Sequence, residues 1–290
     1  MLWFLLAFAT AFFSASEAAV AKRKLGDLPP LAIIAYPCAY SLPLFAGVLA
    51  FLDAPALAPG FWPVLAVLVP LNALGMLLTF WAVKISPLSL TMPFQAFTPM
   101  FVVATGFFFL GEVPSWLGML GILTIVFGSW VLTAGGPRRN GDLLAPLKAV
   151  VAEPGSRLML GASLVFAFAA VLGKSLLLRS DPLFAGMMFF SVHNAAVLAA
   201  LFFAGRITPA ALLERPAAGL LIGVMMFFHI ICHFFAISLT YAAYMIAVKR
   251  LNGLIGVMYG GVMFKESNMT RRLVGAGFMA LGAAIVAVVG

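Results

Sequence analysis

The chain has 290 residues, of which 64% are hydrophobic and only 9% charged, with a mean hydropathy of +1.14. A soluble domain carries roughly 45–50% apolar and about 25% charged residues, so a water-soluble enzyme or nucleic-acid-binding globule is excluded. The apolar runs are continuous, whereas a transmembrane barrel would alternate over ~10-residue segments, and the net charge of +8 therefore calls for a topological explanation.

A helix needs about 20 apolar residues to cross a bilayer. Reading along the chain, spans are expected at 2–21, 31–52, 62–83, 87–110, 114–134, 158–178, 183–205, 216–239, 241–264 and 271–290. The apolar run from 216 onward is too long for one crossing and divides near Leu239-Thr240. The first stretch carries no positive charge ahead of it; Lys22-Arg23-Lys24 follow it instead, which reads as a retained helix and not as a cleaved signal peptide. The connection 135–157 opens with Gly135-Gly136-Pro137-Arg138-Arg139 and is the one plausible linker. With the N-terminus outside, thirteen of the seventeen bases fall in the turns after spans 1, 3, 5, 7 and 9. By the positive-inside rule both termini are then outside and the linker cytoplasmic. An integral protein of a bacterial inner (plasma) membrane is expected.

Spans 4–5 and 9–10 resemble each other. Glu112 and Glu266, Gly121 and Gly275, and Gly128 and Gly282 share one offset of 154 residues. A five-span unit repeated once enters the membrane from opposite faces, so the expected fold is an all-α polytopic membrane protein of ten transmembrane helices in two inverted five-helix repeats. Its units are 1–134 and 158–290, with 135–157 as the linker loop. Inverted repeats typify secondary transporters, whose substrate sits between the halves near the midplane.

Two five-helix units, each closing with an apolar helix, a Glu and a glycine-spaced final helix, resemble the EamA-type transporters of the drug/metabolite transporter superfamily. The resemblance covers essentially the whole chain. It implies a carrier of small metabolites, with both termini in the cytoplasm in many members, which the base count here reverses. Within the superfamily, the triose-phosphate/phosphate translocators of plastids place a Lys-Arg pair in helix 9 and a Lys in helix 6. Lys249-Arg250 and Lys174 are similarly placed, and the resemblance implies that they grip an anion.

The polar residues inside spans give the candidate site. Lys249 and Arg250 interrupt span 9, where two cations cost several kcal/mol unless they face water, a partner or a ligand. Gln95 holds the equivalent position in span 4. Lys174 lies near the end of span 6, where snorkelling to the interface is the competing role. Glu17 stands against these bases as a proton-coupling candidate, or as an ion-pair partner of Lys22 or Lys174. His193 and Asn194 sit mid-span 7, and His229 and His233 share one face of span 8. All four are substrate-binding candidates or helix-joining hydrogen bonders, as are Tyr241, Tyr244 and Asn252 along the stripe of Lys249.

Glu112 and Glu266 each precede a helix and are expected to cap it. The cysteines Cys38 and Cys232 read as free thiols. No Ser/His/Asp constellation, metal-ligand set or phosphate loop is present, so no catalytic residue, metal or cofactor is expected. The expected partners are the lipid bilayer and a small, anionic substrate, phosphorylated or carboxylated; nucleic acid is not expected, and the carrier would be a monomer or homodimer. A proton-coupled exporter of amino acids or amphipathic cations that uses Glu17 is the alternative. Pro37, Pro43, Pro70, Pro93 and Pro99 all fall in the first unit, and each is expected to kink its span, with spans 3–4 and 8–9 lining the cavity.

Overall fold

A computed structural model of the chain describes residues 1–86, 88–133, 153–264 and 269–289. The linker through residue 152 and Glu266 lie outside the described residues. Helices occupy every predicted stretch: α1 (Leu2–Leu25), α2 (Pro30–Phe51), α3 (Phe61–Ile85), α4 (Thr98–Leu110), α5 (Trp116–Thr133), α6 (Pro154–Leu177), α7 (Pro182–Phe203), α8 (Pro216–Leu239), α9 (Ala242–Lys249), α10 (Asn252–Phe264) and α11 (Met269–Val289). Seven of the helical stretches are long and apolar enough to cross a membrane, and two shorter apolar helices, Trp116–Leu132 and Leu273–Val289, accompany them. The protein is an all-helical, polytopic membrane protein. Phe108 and Trp116 are each 79% exposed on its flanks, which suits contact with lipid.

Two expectations are corrected. Spans 4 and 9 are broken, not continuous. In span 4, a short helix Leu88–Thr91 and the 3-10 turns Met92–Phe97 precede α4, and Pro93 and Pro99 fall at the first positions of the two following segments. Both prolines lack the amide that would continue the ladder. Span 9 breaks without a proline. Its ladder tightens to three-residue steps, Arg250 N to Ala247 O, Leu251 N to Val248 O and Gly253 N to Arg250 O, all at 3.0 Å. The second correction is the start of α6, which begins at Pro154 and not at 158. Ser86 at the end of α3 anchors it, donating to Glu153 at 3.0 Å and accepting from the Gly155 amide at 3.2 Å.

Small residues set the closest helix contacts. A Cβ on Gly128 would lie 2.6 Å from the Gly275 carbonyl oxygen, and one on Gly282 would lie 2.6 Å from that of Gly121. The glycines singled out by the repeat therefore meet across α5 and α11, which cross antiparallel. α1 packs on α8, α3 on α6, and α2 on α7. On α8, Gly219 and Gly223 receive Tyr40 of α2.

The ends of the bundle are fixed by side chains. Arg215, ahead of α8, donates to Asp27 and to the Lys24 carbonyl at the end of α1. That guanidinium holds the Asp27 carboxyl below the usual carboxylate range. Lys84 lies over the Trp81 ring, 4.7 Å from its centroid.

Gly128→Val should drive a branched side chain into backbone on α11 and lower the stability of the purified protein by about 1–3 kcal/mol. Gly277→Ala, whose Cβ meets nothing within 4 Å, should leave it unchanged. Thermal unfolding in detergent compares the two.

Candidate functional site

The two breaks face an internal cavity of about 330 Å³. Its polar wall brings together Glu17 of α1, Asn72 of α3, Gln95 of the broken span, His229 and His233 of α8, and Lys249 with Arg250. The lining is otherwise largely apolar and includes the aromatic side chains of Phe166, Phe189, Phe190 and Phe234. α6 and α7 thus contribute as heavily as the helices expected to line it.

Lys249 ends α9, and Arg250 lies in the break itself. Among the described residues neither has an ion-pair partner within 4 Å, and the Arg250 Nε is buried without a hydrogen-bond partner. Two cations therefore point at a cavity that offers them one carboxylate, Glu17. The Glu17 Oε2 lies 3.4 Å from the His229 Nδ1, so its closest described titratable partner is a histidine, and Lys174 is not its partner. The acid that α8 lacks beside its histidines is supplied by α1. Even so, no group of three His, Cys, Asp or Glu able to hold a metal is found among the described residues.

Lys174 lines the same cavity but is committed elsewhere. Its Nζ pairs with the Glu112 Oε1 and donates to the Thr240 carbonyl at 2.6 Å. Both partners of the pair are buried, at 7% exposure each, so Lys174 does not snorkel to an interface. Glu112 also accepts from the Ala242 amide at 2.7 Å. Glu112, expected to cap the helix that follows it, caps the start of α9 instead. The helix that follows Glu112 is capped by Ser115, whose hydroxyl accepts from the Gly118 amide at 3.1 Å.

Other candidates lie away from the cavity. His193 bonds Asn72 Oδ1 at 3.0 Å through its Nε2, and Asn194 donates to Ser41 of α2 at 3.0 Å. Both are buried helix-joining groups outside the cavity lining. The Tyr244 hydroxyl accepts from the Ser115 amide at 3.0 Å and fills the space left by Gly118, while Tyr241 stacks on its ring. Asn252 lines a second cavity beyond Arg250. Asn72 and the phenylalanines escaped the sequence reading. Asn72 carried a usable signal as a lone amide in an apolar span; the phenylalanines are indistinguishable in sequence from lipid-facing ones.

Broken helices around an internal polar cavity are a construction that secondary transporters use. Residues 1–134 match the family model of the EamA-like transporter family, a family of the drug/metabolite transporter superfamily. A solved structure described only as "Crystal structure of protein" is similar, with TM-score 0.70 over 99% of this chain and 96% of its own at 16% identity. That likeness shows a shared fold. No curated protein matches the chain in sequence.

Removing one partner of a buried ion pair leaves an uncompensated charge, at about 3–5 kcal/mol. Lys174→Met should therefore lower thermal stability sharply. The double variant Glu112→Gln with Lys174→Met should recover part of the loss, as a thermal double-mutant cycle would show.

Proposed function

We propose that this protein is a secondary active transporter of a small organic anion. Two inverted five-helix repeats hold the substrate between them, and it is bound in the cavity by Lys249 and Arg250. The observation that carries the reading is the pair of cations at the break of span 9, unpaired among the described residues and directed at an internal cavity. An Arg fork holds two carboxylate or phosphate oxygens, and a Lys adds a point charge.

The repeat reading is supported by reciprocal packing. Gly121 meets Gly282, and Gly128 meets Gly275; α1 on α8 is matched by α3 on α6. In an inverted pair every contact between one position and its neighbour's counterpart recurs with the roles exchanged. The described bases divide in the same sense. Lys22, Arg23, Lys24, Arg206 and Arg215 cluster near the α1–α8 corner, whereas Arg179 lies at the opposite end with the Glu112–Lys174 pair. We assign the base-rich face to the cytoplasm, with both termini outside.

The cavity also narrows the substrate class. Glu112 neutralises Lys174, so with the histidines neutral Glu17 against Lys249 and Arg250 leaves a single net positive charge among the lining residues. Four phenylalanines share the lining with these charges. Hydroxyl groups of a sugar phosphate would lose their water there without new partners. A carboxylate with an apolar or aromatic body fits the charge and the lining.

Lys249→Ala and Arg250→Ala should each remove a charge-assisted hydrogen bond of about 1.5–3 kcal/mol, which is a loss of about 10- to 100-fold in substrate affinity. Phenylacetate should thermally stabilise the purified protein, glycerol 3-phosphate should do so less, and both variants should lose the effect while still folding. Normal binding and transport in both variants would sink the proposal.

The Glu17–His229 contact favours a second reading, a proton-coupled exporter of amino acids or amphipathic cations. Glu17→Gln assayed in proteoliposomes with and without a pH gradient separates the two. If protons couple through Glu17, the variant should exchange substrate but fail to accumulate it. An anion carrier that does not use Glu17 for protons should keep the accumulation.

A further inference from the structure

A second cavity, of about 340 Å³, lies beyond the breaks. Gln95 and Arg250 line both cavities. The first extends toward the ends of α6 and α8, where Lys174 pairs with Glu112. The second is lined by α1 from Ser14 to Lys22 and by α10 from Asn252 to Gly260, so it extends toward the end where Arg215 holds Lys24 and Asp27. The two cavities thus occupy opposite halves of the bundle and are divided at the waist formed by the two helix breaks.

The chemistry of the second cavity suits an anion. Asn252 and Gly253, the first residues of α10, line it, which presents the positive end of a helix to its interior. Arg250, with its buried and unpartnered Nε, stands at its inner end. No carboxylate is among its described lining residues. Space is kept open by Ala15, Ala18, Gly253 and Gly256. A Cβ on Gly256 would meet nothing within 4 Å.

We propose that the second cavity is an anion subsite on the transport path, to which Arg250 passes the substrate from the first cavity across the Gln95–Arg250 waist. This rests on the anion-carrier reading but makes a separate demand: the anion must occupy the α10 side as well as the Lys249 side. Arg250, reaching both cavities, stays in contact throughout, so the charge is not abandoned in an apolar gap.

One test needs no knowledge of the substrate. In a background with Cys38→Ala and Cys232→Ala, Gly256→Cys places a single thiol in the second cavity. Its rates with an anionic sulfonatoethyl and a cationic trimethylammonium methanethiosulfonate are compared with those of free cysteine. The anionic reagent should be favoured at least about tenfold over the free-thiol ratio, and adding Arg250→Gln should erase most of that preference. A ratio equal to that of free cysteine would overturn the subsite.

A second test addresses the path. Gly256→Leu should fill the second cavity, leaving stabilisation by phenylacetate intact while transport of phenylacetate in proteoliposomes falls at least about tenfold. Gly277→Leu, which adds the same volume outside both cavities, should leave transport intact. Wild-type transport by Gly256→Leu would overturn the path. Loss of phenylacetate binding in the unmodified protein would instead count against the proposed substrate class, and the thiol ratio would still decide the subsite.

Discussion

The Glu112–Lys174 ion pair holds three parts of the chain at one point. Glu112 comes from the turn between α4 and α5, Lys174 from the end of α6, and Thr240 and Ala242 from the corner between α8 and α9. That corner leaves a carbonyl and an amide without helical partners, and in a bilayer an unsatisfied backbone group costs several kcal/mol. Lys174 donates to the carbonyl and Glu112 accepts from the amide, so two opposite charges and two backbone dipoles close on one another. Beside it the Tyr244 hydroxyl accepts from the Ser115 amide, a second polar link between the α4–α5 turn and the start of α9.

Two consequences reach the cavity. An α9 capped at Ala242 runs eight residues to Lys249, a rise of about 12 Å, so the pair fixes how deep the cations sit. Neutralising Lys174 also removes it from the charge facing a ligand. Had Lys174 been free, three cations against Glu17 would favour a dianion such as phosphate; with it paired, the lining matches a monoanion. Lys174, which the resemblance to phosphate translocators implies as an anion ligand, is paired with Glu112 instead.

The helical architecture was legible because hydropathy and bilayer thickness act on whole segments: ten stretches stood out, and helices fill them. The breaks were only half legible. Pro93 and Pro99 announce the one in span 4, since a missing amide is written in the sequence. The break at Arg250 has no such mark, because it depends on Lys249 and Arg250 being turned toward a cavity that other helices create. The same limit applies to partners. His229 and His233 looked isolated on α8 because Glu17, which completes the cluster, is more than two hundred residues away. Asn194 and Tyr244 looked available for a ligand, yet Ser41 and Ser115 occupy them. Polarity within a span marks residues that need a partner, and only packing decides whether that partner is protein or substrate.

The placement of the waist follows from the reading of two inverted units. On that reading a two-fold axis in the membrane plane would carry the break of span 4 onto that of span 9, which places the two at equal distances on either side of the midplane. Wherever both broken helices approach the axis, the chain can neither close its ladders nor pack continuous ridges, and a constriction with space on either side results. Gln95 and Arg250 hold that constriction from opposite units. At the shared offset of 154 residues Gln95 corresponds to Lys249 and Ala96 to Arg250, so the departure from symmetry is one of charge, with both cations on the span 9 side. On the anion-carrier reading, a substrate crossing the waist would be led along α9 and α10, while the span 4 side offers an amide but no countercharge.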